Sequence, residues 1–452
     1  MNADLFPYQR AGAEWLASRE AGLLADDMGL GKSPTAVAAC DAAGVRTALV
    51  FCPGIARENW AREFRRWSIH PRRVEVVRCT DDLFTWRVQS AEITVCSYTL
   101  LTSKKARAWL AQYRVDALIC DEAHALKNPE AVRTRAIYGH EFDRDPKVAV
   151  AGRARHVWLL TGTPILNDPS EVWTHFRALW PETLREVGVF HRRSFLDHFC
   201  LVDDLSGRIV GARRIPAFLK MVRPHVLRRL QSEVQADLPP LLWENYPVAP
   251  DTLPPMPPEV VEAKMIAEAA FARVRGDDTS LAAVQAEQMH LATLRRWTGI
   301  AKAQCVAELV AGDIAAGLGP VVVFALHREA MAAINAGVPG SRLLSGDTKP
   351  LDRQALIDDF QAGRIPALIC QLSIASTALT LTRASEVVFA EASWVPADMM
   401  QAAKRCHRIG QGAPVRARIV SLAGSIDEDV ADVLVRKNAT LAKLELANSV
   451  ER

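Results

Sequence analysis

Charge of one sign is scarce in this chain. Its 55 Lys and Arg face 52 Asp and Glu, leaving a formal net charge of +3 over 452 residues. That balance neither demands nor excludes nucleic acid, because a local basic groove hides easily in a balanced total. Long apolar runs are missing: no stretch approaches the roughly 20 residues needed to span a bilayer, so no membrane partner is expected. Paired cysteines are missing too. The nine cysteines, at 40, 52, 79, 96, 120, 200, 305, 370 and 406, include no C-x-x-C spacing, which argues against a cysteine metal site. Several lie in apolar runs such as Ala48–Cys52 and Ala117–Cys120 and read as buried free thiols in a reducing compartment. Met1, Asn2, Ala3 and Asp4 bring no basic n-region with an apolar core behind it. No secretory signal is therefore expected; a cytoplasmic location is, with a nuclear one left open. No tandem repeat of solenoid period is visible.

What is present suits a globular protein of two or three domains: 49% hydrophobic and 24% charged residues on a chain long enough for sizeable cores. From Gly22 to Thr163 short apolar runs alternate with amphipathic stretches. Thr47–Cys52, Ile93–Ser97, Ala117–Cys120 and Val157–Thr161 read as buried strands. Ala56–Trp67 reads as a helix, with Trp60, Phe64 and Trp67 at helical spacing as core packing. The second half repeats the scheme with Val321–Ala325, Ala367–Cys370, Val387–Ala390 and Val415–Ser421. Strands alternating with helices imply parallel sheets covered on both faces. The expected fold is α/β, with two lobes of this kind and helical insertions between them. The middle differs: Pro181–Arg229 reads as helical, and Leu238–Pro258 carries eight prolines that no helix can run through, so the inter-lobe connection is expected there. The expected domains are 1–180, a helical insertion at 181–237, a Pro-rich linker with a helical segment at 238–300, and a second lobe at 301–452.

The strongest local signal is Asp26-Asp27-Met28-Gly29-Leu30-Gly31-Lys32-Ser33. A loop closed by Gly-x-Gly-Lys-Ser wraps backbone N–H groups around phosphate oxygens, Lys32 reaches the β- and γ-phosphates, and the Ser33 hydroxyl ligates Mg²⁺. The following helix points its positive end at the same anion, and Pro34 falls in its tolerant first turn. Asp26 stands where the phosphate-loop pattern has its first glycine, so alone the stretch also reads as a glycine turn. The apolar run Val115–Cys120 then ends in Asp121-Glu122-Ala123-His124. A carboxylate at a strand tip beside a phosphate loop holds Mg²⁺, here Asp121, and its neighbour Glu122 orients and deprotonates the attacking water. The alternative is a helix start capped by Asp121; Lys32 on its own strand–loop–helix weighs against it.

Together Asp26–Ser33, Asp121–His124 and Leu160-Thr161-Gly162-Thr163-Pro164 with Asn167 resemble the superfamily 2 helicase-like ATPases, specifically the Snf2 (SWI/SNF-related) group. The resemblance implies two RecA-like lobes, with ATP and Mg²⁺ bound by Asp27, Met28, Gly29, Leu30, Gly31, Lys32 and Ser33. It extends to Leu5–Arg10, where Gln9 would read the adenine edge, and to Cys52-Pro53 with Asn59, Trp60 and Glu63, a motif beside the nucleic-acid groove. Arg228-Arg229 and Leu238-Pro239-Pro240 resemble the segment leading into the second lobe.

In that lobe Gln401-Ala402-Ala403-Lys404-Arg405-Cys406-His407-Arg408-Ile409-Gly410-Gln411 resembles the family's sixth motif. Spaced by three, Arg405 and Arg408 would share one helix face, and a guanidinium stabilises the charge of a transferring γ-phosphoryl group. Gln401 is expected at the nucleotide. His327, Arg328, Gly346, Thr348, Arg353, Phe360 and Gln361 follow in the family's order, and Val387–Glu391 with Trp394 resembles the annealing-helicase branch. Ser376 and Ala378 stand where the family has glycines, a departure that bears on coupling. By resemblance His124, Thr161, Thr163 and Trp394 couple the ATP site to DNA. The match runs from Leu5 to about Asp429, and a minimal core without targeting modules fits a bacterial or phage protein. It implies a DNA-dependent ATPase that translocates on double-stranded or forked DNA, in replication, recombination or repair. From the residues alone, an RNA-dependent ATPase and a weakly active nucleic-acid-binding protein remain open. The basic stretch Arg192–Arg229 is a candidate groove wall, and equally a solvated face.

Overall fold

The computed structural model describes residues 5–140, 149–162, 169–202, 209–234, 238–249, 253–272, 288–374, 379–393, 396–424 and a few positions up to 435. The chain divides into two compact units, Met1–Val234 and Gln235–Arg452.

The first unit is built on seven strands: β1 Ala21–Leu24, β2 Ala48–Cys52, β3 Val74–Val76, β4 Ile93–Ser97, β5 Ala117–Asp121, β6 His156–Leu160 and β9 Val226–Leu227. They lie in the order β3-β4-β2-β5-β6-β1-β9, every pair parallel. β2, β4, β5 and β6 are buried along their whole length, as unbroken apolar runs require when helices cover both faces. β1, β6 and β5 are neighbours, so the segments leaving their C-terminal ends emerge side by side. That edge is where open parallel sheets bind ligands. Three helices frame it: α1 Pro7–Ala17, α2 Lys32–Ala42 and α3 Arg57–Trp67.

The segment expected to be wholly helical, 181–237, is mixed. Helices span Pro181–Glu186, Arg192–Phe199 and Ile215–Val222, but β7 Cys200–Val202 and β8 Ile209–Ala212 form an antiparallel hairpin. The segment's tail then supplies β9, the sheet's edge strand beside β1. Trp173, Phe195, Phe199 and Phe218 pack in a row, tilted or edge to face, with ring centroids 5.1–5.5 Å apart. All four belong to the first unit's core, so Phe195, Phe199 and Phe218 of the segment serve packing, while Phe190 is exposed.

The second unit holds β10 Leu241–Val248, β11 Val321–Ala325, β12 Arg342–Leu344, β13 Ala367–Gln371, β14 Glu386–Phe389 and β15 Val415–Leu422 in the parallel order β10-β15-β14-β11-β13-β12. The proline-rich stretch expected as a linker therefore contains an eight-residue strand, paired along its length with β15. β10 is an edge strand with partly exposed, largely alternating burial. Pro247 is tolerated because an edge strand leaves one row of N–H groups outside the ladder. The buried Lys302 ammonium is satisfied by Val420 O and the Asp427 carboxylate.

Cys40, Cys52, Cys96, Cys120, Cys200, Cys370 and Cys406 are buried free thiols, while Cys79 is exposed. Among the described residues no helix is long and apolar enough to cross a membrane.

Candidate active site

β1 ends at Leu24 and the chain turns through Asp26–Gly31 into α2, whose first residue is Lys32. Gly29 (φ 85°) and Gly31 (φ 76°) adopt left-handed backbone that a side chain resists. A Cβ at Gly31 would also collide with the Gln9 amide. Lys32 Nζ donates to the carbonyls of Asp26 (2.8 Å) and Asp27 (3.2 Å). Burial pushes its pKa down, opposed by the nearby carboxylates of Glu122, Asp27, Asp26 and Asp121. Ser33 follows, half-buried, in the first turn of α2.

The aspartate at the first glycine position has a partner 203 residues away. Arg229 Nε donates to Asp26 Oδ1 at 2.9 Å and Nη2 donates to Oδ2, a bidentate pair. The guanidinium also donates to Tyr8 O and lies 5.3 Å from the Tyr8 ring centroid. Gly12 in α1 makes room, since a Cβ there would stand 2.7 Å from Arg229 Nη2. The backbone repeats the link: Ala25 N donates to Leu227 O (2.7 Å) and Asp27 N to Arg229 O (2.9 Å).

Gln9 is buried against the loop. Its Nε2 donates to Leu30 O (3.0 Å), its Oε1 accepts from Phe6 N (3.0 Å), and Tyr8 Oη donates to Leu30 O (3.1 Å). Both halves of the amide expected to face a base edge are thus engaged with the chain's own backbone.

Asp121 closes β5 with its side chain buried. Oδ1 accepts the Glu122 N–H at 3.0 Å and Oδ2 accepts the Trp60 indole N–H at 2.8 Å. Tyr98 Oη donates to the Asp121 carbonyl at 2.8 Å. Burial first, then the Glu122 carboxylate, pushes the Asp121 pKa up, with the Trp60 bond and Lys32 opposing. Glu122 sits at φ 51°, left-handed and non-glycine, a strained conformation that turns its side chain out of the strand's line. His124 Nδ1 lies 3.4 Å from Glu122 Oε2, within ion-pair reach. Burial and then Lys127 depress the imidazole pKa, and Nδ1 makes no hydrogen bond, so the contact is not an ion pair at neutral pH. From β6, Thr161 N donates to Leu24 O at 3.1 Å. Gly162 lets this loop approach the phosphate loop, since a Cβ there would stand 2.8 Å from Met28 Cγ and 3.6 Å from Lys32 Nζ. Thr163, Pro164, Asn167, Ser376, Ala378 and Trp394 lie outside the described residues.

Gln9, Asp26–Ser33, Asp121, Glu122, His124 and Thr161 are thus assembled in the first unit. In the second, Gln401 lies in the helix Pro396–Ala403. That helix stops before Arg405, so Arg405 and Arg408 do not share a helix face; both sit in the turns that follow. Leu381 N donates to Arg405 O (2.9 Å), which folds the turn back on the segment before β14. Arg408 Nη1 donates to Leu379 O (3.1 Å) and Thr380 Oγ1 (3.0 Å). Gln411 Nε2 holds the carbonyls of Thr382, Ala384 and Cys406. Sequence reasoning missed Trp60 and Tyr98 as donors to Asp121, the role of Arg229, and Thr380. Each is a contact between distant positions with no local spacing signal.

A search of family models matches the SNF2-related domain over residues 8–248 and the helicase conserved C-terminal domain over 301–410. Among curated proteins, the chain is 31% identical over 475 residues to the SWI/SNF-related matrix-associated actin-dependent regulator of chromatin subfamily A-like protein 1 of Xenopus tropicalis, covering 99% of this chain and 46% of that one. It is 27% identical over 457 residues to the DNA annealing helicase and endonuclease ZRANB3 of Mus musculus, covering 97% and 40%. Among solved structures, a Sulfolobus solfataricus SWI2/SNF2 ATPase core in complex with dsDNA aligns over 99% of this chain and 94% of that one, with 21% identity and a TM-score of 0.46. The chain spans less than half the length of either of these two curated relatives.

Proposed function

This chain belongs to the SNF2-related family, and from that premise we propose that it is a DNA-dependent ATPase that couples hydrolysis to translocation on duplex DNA. The observation that carries the reading is the convergence, at the ends of the two strands that flank β6, of the Lys32 loop after β1 and the Asp121–Glu122 pair at the tip of β5. The name of a relative, a DNA annealing helicase, supports DNA as the track.

In this reading Gly29, Gly31 and Lys32 hold the phosphates of ATP by backbone N–H groups and one ammonium. Gln9 leaves Leu30 to read the adenine. Asp27, Met28 and Leu30 complete the loop. Glu122 orients the attacking water and accepts its proton. Gln401, Arg405 and Arg408 form the second lobe's contribution, with an arginine stabilising charge on the γ-phosphoryl group. His124, Thr161, Thr163 and Trp394 relay between nucleotide and DNA. The donor set fits Mg²⁺: a buried carboxylate, raised in pKa by desolvation, gains from a cation, and Asp121 with the Ser33 hydroxyl would hold it. Bound there, Mg²⁺ would neutralise phosphate charge. We place the lobe boundary at Val234/Gln235, with β9 closing the first lobe and β10 opening the second.

The test is ATP turnover with duplex DNA, single-stranded DNA, forked DNA and RNA side by side, on the parent chain and on Lys32→Ala and Glu122→Gln. Duplex-stimulated turnover that both variants abolish while DNA binding survives is expected. Turnover of parental size in either variant overturns the assignment, and stimulation by RNA alone overturns the track.

A further inference from the structure

We propose that Trp60 is a positioning residue for the Asp121 carboxylate: its indole N–H, rather than its ring packing alone, sets how Asp121 faces a divalent cation. The inference rests on the reading of Asp121 as the carboxylate that holds Mg²⁺.

Position 60 reads from sequence as one turn of an apolar helix face, and the ring is indeed fully buried, packed on Phe64 with centroids 6.1 Å apart. Packing alone does not use the N–H. The other two largest buried indoles of the first unit, Trp158 and Trp173, leave Nε1 without a hydrogen bond among the described residues. Trp60 differs in spending it, at 2.8 Å, on Asp121 Oδ2.

The consequence for Asp121 is geometric. Oδ1 is held by the N–H of Glu122, Oδ2 by α3 through Trp60, and the main-chain carbonyl by Tyr98, which lies just beyond β4. The carboxylate is thereby fixed in rotation from two independent elements. Each oxygen accepts one bond and keeps a free lone pair. The two lone pairs left over, one on each oxygen, then hold fixed directions toward a cation. Without the indole, Oδ2 loses the donor that α3 supplies and the carboxylate turns more freely about its Cβ–Cγ bond. Partners that orient a metal ligand are typically worth roughly 10–100-fold in metal affinity.

The test is Mg²⁺ titration of the full chain carrying a fluorescent N-methylanthraniloyl ADP, which reads metal binding without turnover. Trp60→Phe should raise the half-saturating Mg²⁺ concentration by about tenfold or more. Metal-free ADP affinity should stay unchanged. In an Asp121→Asn background the same substitution should change nothing. An unaltered Mg²⁺ requirement overturns the proposal, and so does a parallel loss of metal-free affinity, which marks general loosening. If Trp60→Phe does not melt cooperatively, benzothienylalanine at position 60 (isosteric with Trp but without the N–H) gives the same comparison. Should Asp121→Asn alone leave the Mg²⁺ dependence intact, the metal assignment fails, a result distinct from failure of Trp60.

Discussion

Replacing Arg229 by Met should destabilise the first unit far more than a surface arginine would. The Asp26 side chain is 1% exposed and Arg229 14%, so the pair is shielded from water. Removing one partner of a buried pair leaves an uncompensated charge and costs about 3–5 kcal/mol. Asp26 cannot turn to solvent, because the loop backbone is pinned by Asp27 N on Arg229 O. For a unit of this size each kcal/mol is worth about 2–4 °C, so the melting transition should fall by roughly 6–20 °C. Asp26→Asn/Arg229→Met removes both charges and should recover part of the loss, a coupling of roughly 1–3 kcal/mol. Arg229→Lys should sit between, since an ammonium keeps the charge but not the fork. Differential scanning calorimetry of the full chain, these three variants and Asp26→Asn alone measures all of this. A drop under about 1 kcal/mol in Arg229→Met, or a double variant no better than the worse single one, refutes the reasoning.

Three further outcomes follow from the site. Burial holds His175 neutral, pushing its pKa down to about 4, and Tyr138 Oη lies 2.9 Å from its Nδ1. The unfolded chain takes up a proton near pH 6.5 while the folded one does not until about pH 4. Stability from this group is therefore lost as pH falls through that window, by up to roughly 3 kcal/mol. Urea midpoints at pH 7.5 and 5 should show the loss in the parent, and His175→Gln should flatten it. Gln9→Ala removes the amide that both pins the loop and meets the base, so the ATP-over-GTP preference in KM should shrink about tenfold; an unchanged preference removes Gln9 from base recognition. Arg408→Ala should lower kcat by at least tenfold with nucleotide affinity little changed, and equal losses in both argue against a transition-state role.

Much of this architecture is legible in the residues because buried parallel strands advertise themselves. Ile93–Ser97 and Val321–Ala325 coincide with β4 and β11 to the residue. β3, β9 and β12 span three residues or fewer and carry no period to read. β10 is hidden by its own prolines: Pro239 and Pro240 announce a break just before it, and Pro247 within it speaks against a central strand, which it is not. The phosphate loop and the strand-tip carboxylates are local motifs, so spacing suffices to find them. Asp26 looked like a departure from the glycine pattern until Arg229 appeared opposite it. Trp60 looked like core because periodicity reports which face is buried and is silent on where an N–H points.

β9 has a mechanical meaning. The chain leaves the first unit through a two-residue strand that runs parallel to β1, and its carbonyls at Leu227 and Arg229 grip Ala25 and Asp27. Tension applied to the backbone beyond Val234 is therefore delivered first to the phosphate loop, not to the sheet interior. It loads those two bonds and the Asp26 fork in shear, the direction in which parallel contacts share load and yield together. The loop is thus the joint at which a pull on the exit segment and the grip on phosphate meet in one short stretch of backbone.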